Sequence, residues 1–232
     1  MSNSYFRFKQ FTVRHDLCAM KVGTDGVILG AWAGHEGTRS ILDAGCGSGL
    51  ISLMLAQRFC MARITAVDID DGAVIQSDVN FKNSPWAGRL HVLKADIRNW
   101  RPEQNFDLIV CNPPYFVDSL KAPDLQRNTA RHTDTMPHEA LLSLAEYCLE
   151  PDGELAIILP QGEMEKLLGT AFRYGLTPAS KISLFTSEKA PNPKRILASL
   201  KRITHTENNG CRIHELVIGS PQYNEYVKDF YL

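Results

Sequence analysis

The sequence predicts an α/β fold, a mostly parallel sheet with helices on both faces. Three observations carry this. Residues 40–56 read as a strand, a glycine turn and a helix, and residues 62–83 repeat the rhythm. Successive strand-length apolar runs end in Gly/Asp, in Asp68, in Asp96 and in Asn112-Pro113-Pro114-Tyr115. The length, 232 residues, suits one large domain or one domain with small additions. The expected organisation is an N-terminal extension over 1–39 packed on a core over 40–232.

Composition narrows the class. Apolar residues make up 44% and charged residues 22% of the chain, the balance of a soluble globule. No apolar run approaches the ~18 residues of a membrane span, and Met1–Arg7 lacks an apolar signal core. The six cysteines (18, 46, 60, 111, 148, 211) form no CxxC pair and no metal spacing. They read as reduced, mostly buried thiols of a cytoplasmic protein, with no metal expected. A net charge of −1 argues against wholesale wrapping by nucleic acid and leaves room for a local basic patch.

Residues Phe6–Val13 alternate as a strand or hairpin, with Phe6 and Phe8 read as core. Residues 20–30 place Thr24 and Asp25 between two glycines at the entry to an apolar helix. Two readings stand for the pair, a helix cap or a turn lying over a bound ligand. Next comes the strand Ser40–Ala44 and the glycine turn Asp43-x-Gly45-x-Gly47-x-Gly49. These glycines let a ligand approach the backbone at a helix N-terminus. The spacing differs from the G-x-G-x-x-G of dinucleotide folds. Asp43 would repel a pyrophosphate and suits an ammonium-bearing ligand.

Asp68 ends the second strand, 25 residues after Asp43, where an acid binds ribose hydroxyls. Asp70 reads as the N-cap of the next helix, and Trp86 as packing. Asp96 ends the third strand, either as an acceptor for an adenine amino group or as a turn residue. The fourth strand delivers Asn112-Pro113-Pro114-Tyr115. Prolines stiffen this turn and leave its carbonyls free to accept, which suits a planar amino group beside an aromatic ring. The alternative is a strand that simply stops at Pro-Pro. Ligands bind at the carboxyl edge of such sheets, so these strand ends should converge on one crevice.

Residues 116–136 read as an irregular loop. There Arg127, Arg131 and His132 either meet phosphate or lie in a solvated loop whose acids offset them. A helix comes next over 138–149, then Pro151-Asp152-Gly153 turning into the strand Glu154–Pro160, a helix ending at Gly175, and a strand over 181–185. Residues 196–200 form a strand paired back on it as a hairpin, and 213–218 a further short strand. Between Lys189 and Arg202 stand five Lys/Arg, among them Lys194 and Arg195, and no acid. This is either a phosphate-contacting face or a protected sheet edge.

The motif series Asp43-x-Gly45-x-Gly47-x-Gly49, Asp68, Ala95-Asp96 and Asn112-Pro113-Pro114-Tyr115 resembles that of class I S-adenosylmethionine-dependent methyltransferases. Its NPPY tetrapeptide is similar to the branch that methylates planar exocyclic nitrogens. Phe8-Lys9-Gln10-Phe11, His15-Asp16, Met20–Gly26 and Ser84-Pro85-Trp86 more closely resemble the bacterial valine tRNA (adenine-37-N6)-methyltransferase family, nearly end to end. The resemblance implies a Rossmann-like fold with a mostly parallel seven-stranded sheet and a short N-terminal extension. It implies a cytoplasmic, monomeric, metal-free enzyme acting on tRNA with S-adenosylmethionine as cofactor. Asn112, Pro113 and Tyr115 would then be catalytic. Thr24, Asp25, Asp43, Gly45, Gly47, Asp68 and Asp96 would hold the cofactor, and Pro114, Arg127, Arg131, Lys194 and Arg195 the tRNA. Tyr115 stacking on the base would contribute roughly 1–3 kcal/mol. Rival readings are an rRNA guanine N2 enzyme, a protein glutamine N5 enzyme and a catalytically silent RNA-binding module. The glycine spacing and Asp43 disfavour an NAD oxidoreductase.

Overall fold

The computed structural model describes residues 4–18, 20–114, 137–203 and 210–232. Tyr115, Arg127, Arg131 and the 116–136 loop lie outside them.

An eight-stranded sheet runs in the order β10-β8-β9-β7-β6-β3-β4-β5. Its strands are β3 (Ser40–Ala44), β4 (Arg63–Asp68), β5 (Leu90–Lys94), β6 (Phe106–Cys111), β7 (Leu149–Leu159), β8 (Leu176–Phe185), β9 (Arg195–Arg202) and β10 (Arg212–Val217). All neighbours are parallel except β9, which is antiparallel to both β7 and β8. The resemblance implied seven strands. The eighth, β10, adds in parallel register to the outer side of β8.

The central strands are apolar on both faces because helices cover both. Leu108 and Val110 of β6 face one core, with α1 (Thr24–Trp32), α2 (Leu50–Arg58), α3 (Asp71–Lys82) and α6 (Pro221–Val227). Ile109 and Cys111 face the other, with α4 (His138–Cys148) and α5 (Gln161–Ala171). Three arginines satisfy the orphan carbonyls that end helices. Arg58 donates to the carbonyls of Gly30 in the last turn of α1 and Ala33 just after it, and Arg89 to those of Ala56 in the last turn of α2 and Phe59 and Ala62 beyond it. Arg202 donates to those of Glu146 in the last turn of α4 and Leu149 just after it.

The extension forms the hairpin β1 (Tyr5–Arg7) and β2 (Thr12–Arg14). Phe8, Phe11 and Val13 are buried, and Phe11 meets Trp86 edge to face. Two buried amides of α3 hold the end of this hairpin and the chain just beyond it. Asn80 accepts from the Arg14 N–H and donates to the Arg14 and Ser48 carbonyls, and Gln76 accepts from the Leu17 N–H.

Four expectations are corrected. β7 begins at Leu149, not Glu154. Pro151-Asp152-Gly153 is absorbed as an irregularity in which Phe106 faces Leu149 and Leu108 already faces Glu154. A side chain at Gly153 would put its Cβ 2.9 Å from the Phe106 carbonyl oxygen, so only glycine lets the strands close there. β8 begins at Leu176, five residues early, and accommodates Pro178 at a register shift. The basic run is not a sheet edge, because β9 is enclosed between β7 and β8. The cysteines are less buried than expected: Cys46, Cys111 and Cys148 are buried, Cys18 and Cys211 half-buried, and Cys60 exposed.

Candidate active site

The sheet's strand order reverses at β3. The chain runs outward from β3 through β4 to β5, then returns to place β6 on the other side of β3. A crevice opens at the carboxyl end of such a switch point. Asp43 of β3 pairs with Val110 of β6, so Asp43 and Asn112 end adjacent strands at that point.

Asp43 is fully buried. Its Oδ2 accepts from the Ser52 N–H at 3.1 Å and from the Ser52 hydroxyl at 2.7 Å, which ties the end of β3 to the first turn of α2. Its Oδ1 is buried and has no hydrogen-bond partner among the described residues. Burial pushes its pKa up to about 7 against the pull of Ser52, with Asp68 adding to the rise. Between Asp43 and α2 the chain turns through Gly45, Gly47 and Gly49, all at positive φ. Gly49 carries the tightest constraint, because a Cβ there would lie 2.4 Å from the Phe81 ring.

Asp68 closes on this turn. Its Oδ2 accepts from the Gly47 N–H at 2.8 Å and its Oδ1 from the Asp70 N–H at 3.0 Å. Asp70 caps α3 by accepting from the Ala73 N–H. Asp96 lies just after β5, where Arg98 hydrogen-bonds its carboxylate and holds its pKa below the usual range.

Asn112 lies just after β6, with Pro113 buried and Pro114 exposed. Its side-chain Oδ1 is buried without a partner among the described residues. The first turn of α1 packs on it: a Cβ at Gly26 would meet Leu50 at 3.1 Å and Asn112 Nδ2 at 3.8 Å. Thr24 and Asp25 form the start of that same turn. Asp25 accepts from Arg195 Nε at 2.7 Å, and both side chains are 15% exposed. Arg195 opens β9, whose reversed direction brings its N-terminus to the carboxyl edge, where Ile196 faces Leu159. The exposed Lys194 precedes it there, while Lys201 and Arg202 end β9 at the opposite edge.

The structure therefore brings Thr24, Asp25, Asp43, Gly45, Gly47, Asp68, Asn112, Pro113 and Arg195 to the carboxyl edge of the sheet around the switch point, with Asp96 farther out beyond β4. Sequence reasoning missed Ser52, whose only signal is a hydroxyl inside an apolar helix run. It also missed Cys18, which lies close enough to Asp68 and Asp70 that burial and those carboxylates raise its thiol to about 11. Among the described residues no group of three His, Cys, Asp or Glu could hold a metal. No helix there is long and apolar enough to cross a membrane.

Comparison with known proteins gives the family. Residues 28–181 match the family model "Methyltransferase small domain". A tRNA1(Val) (adenine(37)-N6)-methyltransferase of Phocaeicola vulgatus is 48% identical over 238 residues, covering all of this chain and 99% of the relative. The enzyme of the same name from Parabacteroides distasonis is 45% identical, again over all of this chain and 99% of the relative. Among solved structures, Atu636 of Agrobacterium tumefaciens, described as a predicted O-methyltransferase, superposes with a TM-score of 0.65 at 16% identity. It covers 89% of this chain and 96% of its own, a likeness of fold. With the strand-end acids, the glycine turn and the Asn-Pro-Pro turn assembled at the switch point, the chain belongs to the methyltransferase small domain family and, within it, to the tRNA1(Val) (adenine(37)-N6)-methyltransferase family.

Proposed function

We propose that this chain methylates N6 of adenine in tRNA, at adenine 37 of valine tRNA, using S-adenosylmethionine. The observation that carries the reading is the buried, unpartnered Oδ1 of Asn112 at the carboxyl end of β6. A buried acceptor without a donor costs about 1–3 kcal/mol, so a ligand N–H is its natural complement. The exocyclic amine of adenine brings two such hydrogens.

The residues present fit the cofactor. Asp43 Oδ1, another unpartnered buried acceptor among the described residues, suits its ammonium. The turn through Gly45 and Gly47, at positive φ, would let it approach the backbone, and Thr24 and Asp25 would close over its methionine end. Asp68 accepts two backbone N–H groups and has lone pairs left for ribose hydroxyls. Asp96 would accept from the cofactor's adenine, sharing its carboxylate with Arg98. When bound, S-adenosylmethionine supplies a methyl group already activated by its sulfonium.

The chain's task is to prepare the acceptor nitrogen, whose lone pair is delocalised into the ring. Asn112 Oδ1 and the Pro113 carbonyl accept the two N6 hydrogens, which favours a pyramidal nitrogen and aims its lone pair. Such positioning and electrostatics supply several kcal/mol in enzymes generally. By the family resemblance, Pro114 and Tyr115 would flank the base, and Lys194, Arg127 and Arg131 would meet tRNA phosphates; Tyr115, Arg127 and Arg131 lie outside the described residues. An anticodon-loop adenine is unpaired, so reaching the crevice costs less than from a duplex. On this reading the enzyme works as a monomer in the cytoplasm, where tRNA is.

The test is transfer of labelled methyl from S-adenosylmethionine into unmodified valine tRNA transcript, rRNA and protein extract, followed by nucleoside analysis. N6-methyladenosine at position 37 is expected. Label in guanosine or in glutamine would keep the cofactor and move the substrate.

A further inference from the structure

The first fifteen residues hold Arg7, Lys9 and Arg14 and no carboxylate, in a chain whose net charge is −1. The hairpin register sorts their directions. Tyr5 faces Arg14 and Arg7 faces Thr12, while the intervening pair is Phe6 with Val13. Alternation along a strand therefore sends Val13 into the core and puts Tyr5, Arg7, Thr12 and Arg14 on the outer face. All four are exposed. Neither guanidinium is ion-paired among the described residues. Lys9 differs, because its ammonium donates to the Lys228 carbonyl.

Arg7, Thr12 and Arg14 also line a polar cleft of about 520 Å³ whose other wall includes Asn80 of α3 and Asn83 just after it. The two arginines are diagonal neighbours, roughly 7–8 Å apart at the backbone, so their long side chains can take successive phosphates of one strand. Asn80 bonds both the Arg14 backbone and the Ser48 carbonyl of the glycine turn. Leu50, two residues on, lies with Asn112 against Gly26. The Arg14 end of the hairpin is therefore tied through Asn80 to the glycine turn, while Lys9 and Gln10 at its tip line a second cleft with Gln57, Arg58 and Phe59 at the end of α2.

We infer that the outer face of the N-terminal hairpin, through Arg7 and Arg14 over the cleft beside Asn80 and Asn83, binds the phosphodiester backbone of the RNA substrate. The inference rests on the tRNA reading and adds to it a surface outside the crevice. Tyr5, 46% exposed beside Arg14, offers a ring face to a ribose or an unpaired base.

The test compares the full-length wild type with Arg7→Ala/Arg14→Ala. Binding of unmodified valine tRNA is read by fluorescence anisotropy across a salt series, with cofactor binding by calorimetry and thermal melting alongside. The expected result is roughly tenfold weaker tRNA binding and a salt slope shallower by about 1–2, near 1 for each phosphate that is no longer neutralised. Cofactor affinity and melting temperature stay at wild-type values. An unchanged tRNA affinity and slope overturns the inference. So does inorganic phosphate binding at the cleft while tRNA affinity ignores the substitution. If melting temperature falls, Arg7→Gln and Arg14→Gln singly replace the double variant under the same criteria. Wild-type protein that binds tRNA through these arginines but methylates only another substrate would refute the target and keep the surface.

Discussion

Replacing Asp43 by asparagine should make the cofactor-free protein more stable near pH 8 and less stable near pH 4. The carboxyl has an ordinary value of 3.8 and is raised to about 7 in the fold, chiefly by burial. Between those values the folded state binds more protons than the unfolded one, so stability falls as pH rises through the window. At roughly 1.4 kcal/mol per pH unit, the ionised carboxylate costs the fold about 4 kcal/mol above pH 7. The amide removes that cost. Its oxygen can keep both Ser52 bonds, but its NH2 falls where Oδ1 has no partner, a loss of about 1–3 kcal/mol. The net is a gain of roughly 1–3 kcal/mol near pH 8 and a loss of similar size near pH 4. At this chain length each kcal/mol moves the melting temperature by about 2–4 °C. Melting of both proteins across this pH range is the assay, since groups common to both cancel in the difference. Curves that stay parallel would show that Asp43 is not held near neutrality. The same variant should bind S-adenosylmethionine at least tenfold more weakly near pH 8. Unchanged affinity would make Asp43 purely a support for the turn.

Asn112→Ala should leave cofactor affinity nearly intact and lower kcat by about 10² or more, in the range of losing one positioned polar group; equal loss of both by calorimetry and turnover would remove its assigned role. Gly49→Ala forces a side chain into a left-handed position (φ 76) and into the Phe81 ring. It should cost about 2–5 kcal/mol in denaturant unfolding, and a loss under about 1 kcal/mol would mean that Phe81 yields freely. Asp25→Asn and Arg195→Gln should each lower kcat/KM, with a double-mutant coupling of about 1–3 kcal/mol; additive effects would show that the pair does not position the first turn of α1.

Local chemistry was legible in the sequence where the responsible atoms are close in the chain. Asp70 was readable as a cap because its donor, Ala73, lies three residues on. The strand ends at Asp43, Asp68 and Asn112 were readable because their apolar runs are short and bounded. Pairing across long separations was not. Asp25 and Arg195 each suggested an external partner, a cofactor and a phosphate, and the fold turns them toward each other. The basic run from Lys189 to Arg202 looked like one surface, whereas a reversed strand carries its ends to opposite edges of the sheet. Pro151-Asp152-Gly153 reads locally as a turn, and only the approach of Phe106 reveals why the strand continues through it. Gln76 and Asn80 were unremarked polar residues until the hairpin supplied the backbone groups they hold.

The reversed strand β9 also sets an order for biosynthesis. β8 leaves the ribosome before β9, yet it reaches the sheet only through β9. Until residues 195–202 emerge, β7 presents Leu155–Leu159 as a bare apolar edge while β8 waits beside it with no template. Open edges of this kind recruit other chains. Nascent chains stalled before Arg195 should therefore be caught by chaperones and aggregate, whereas those released after Arg202 should close the gap and become resistant to protease.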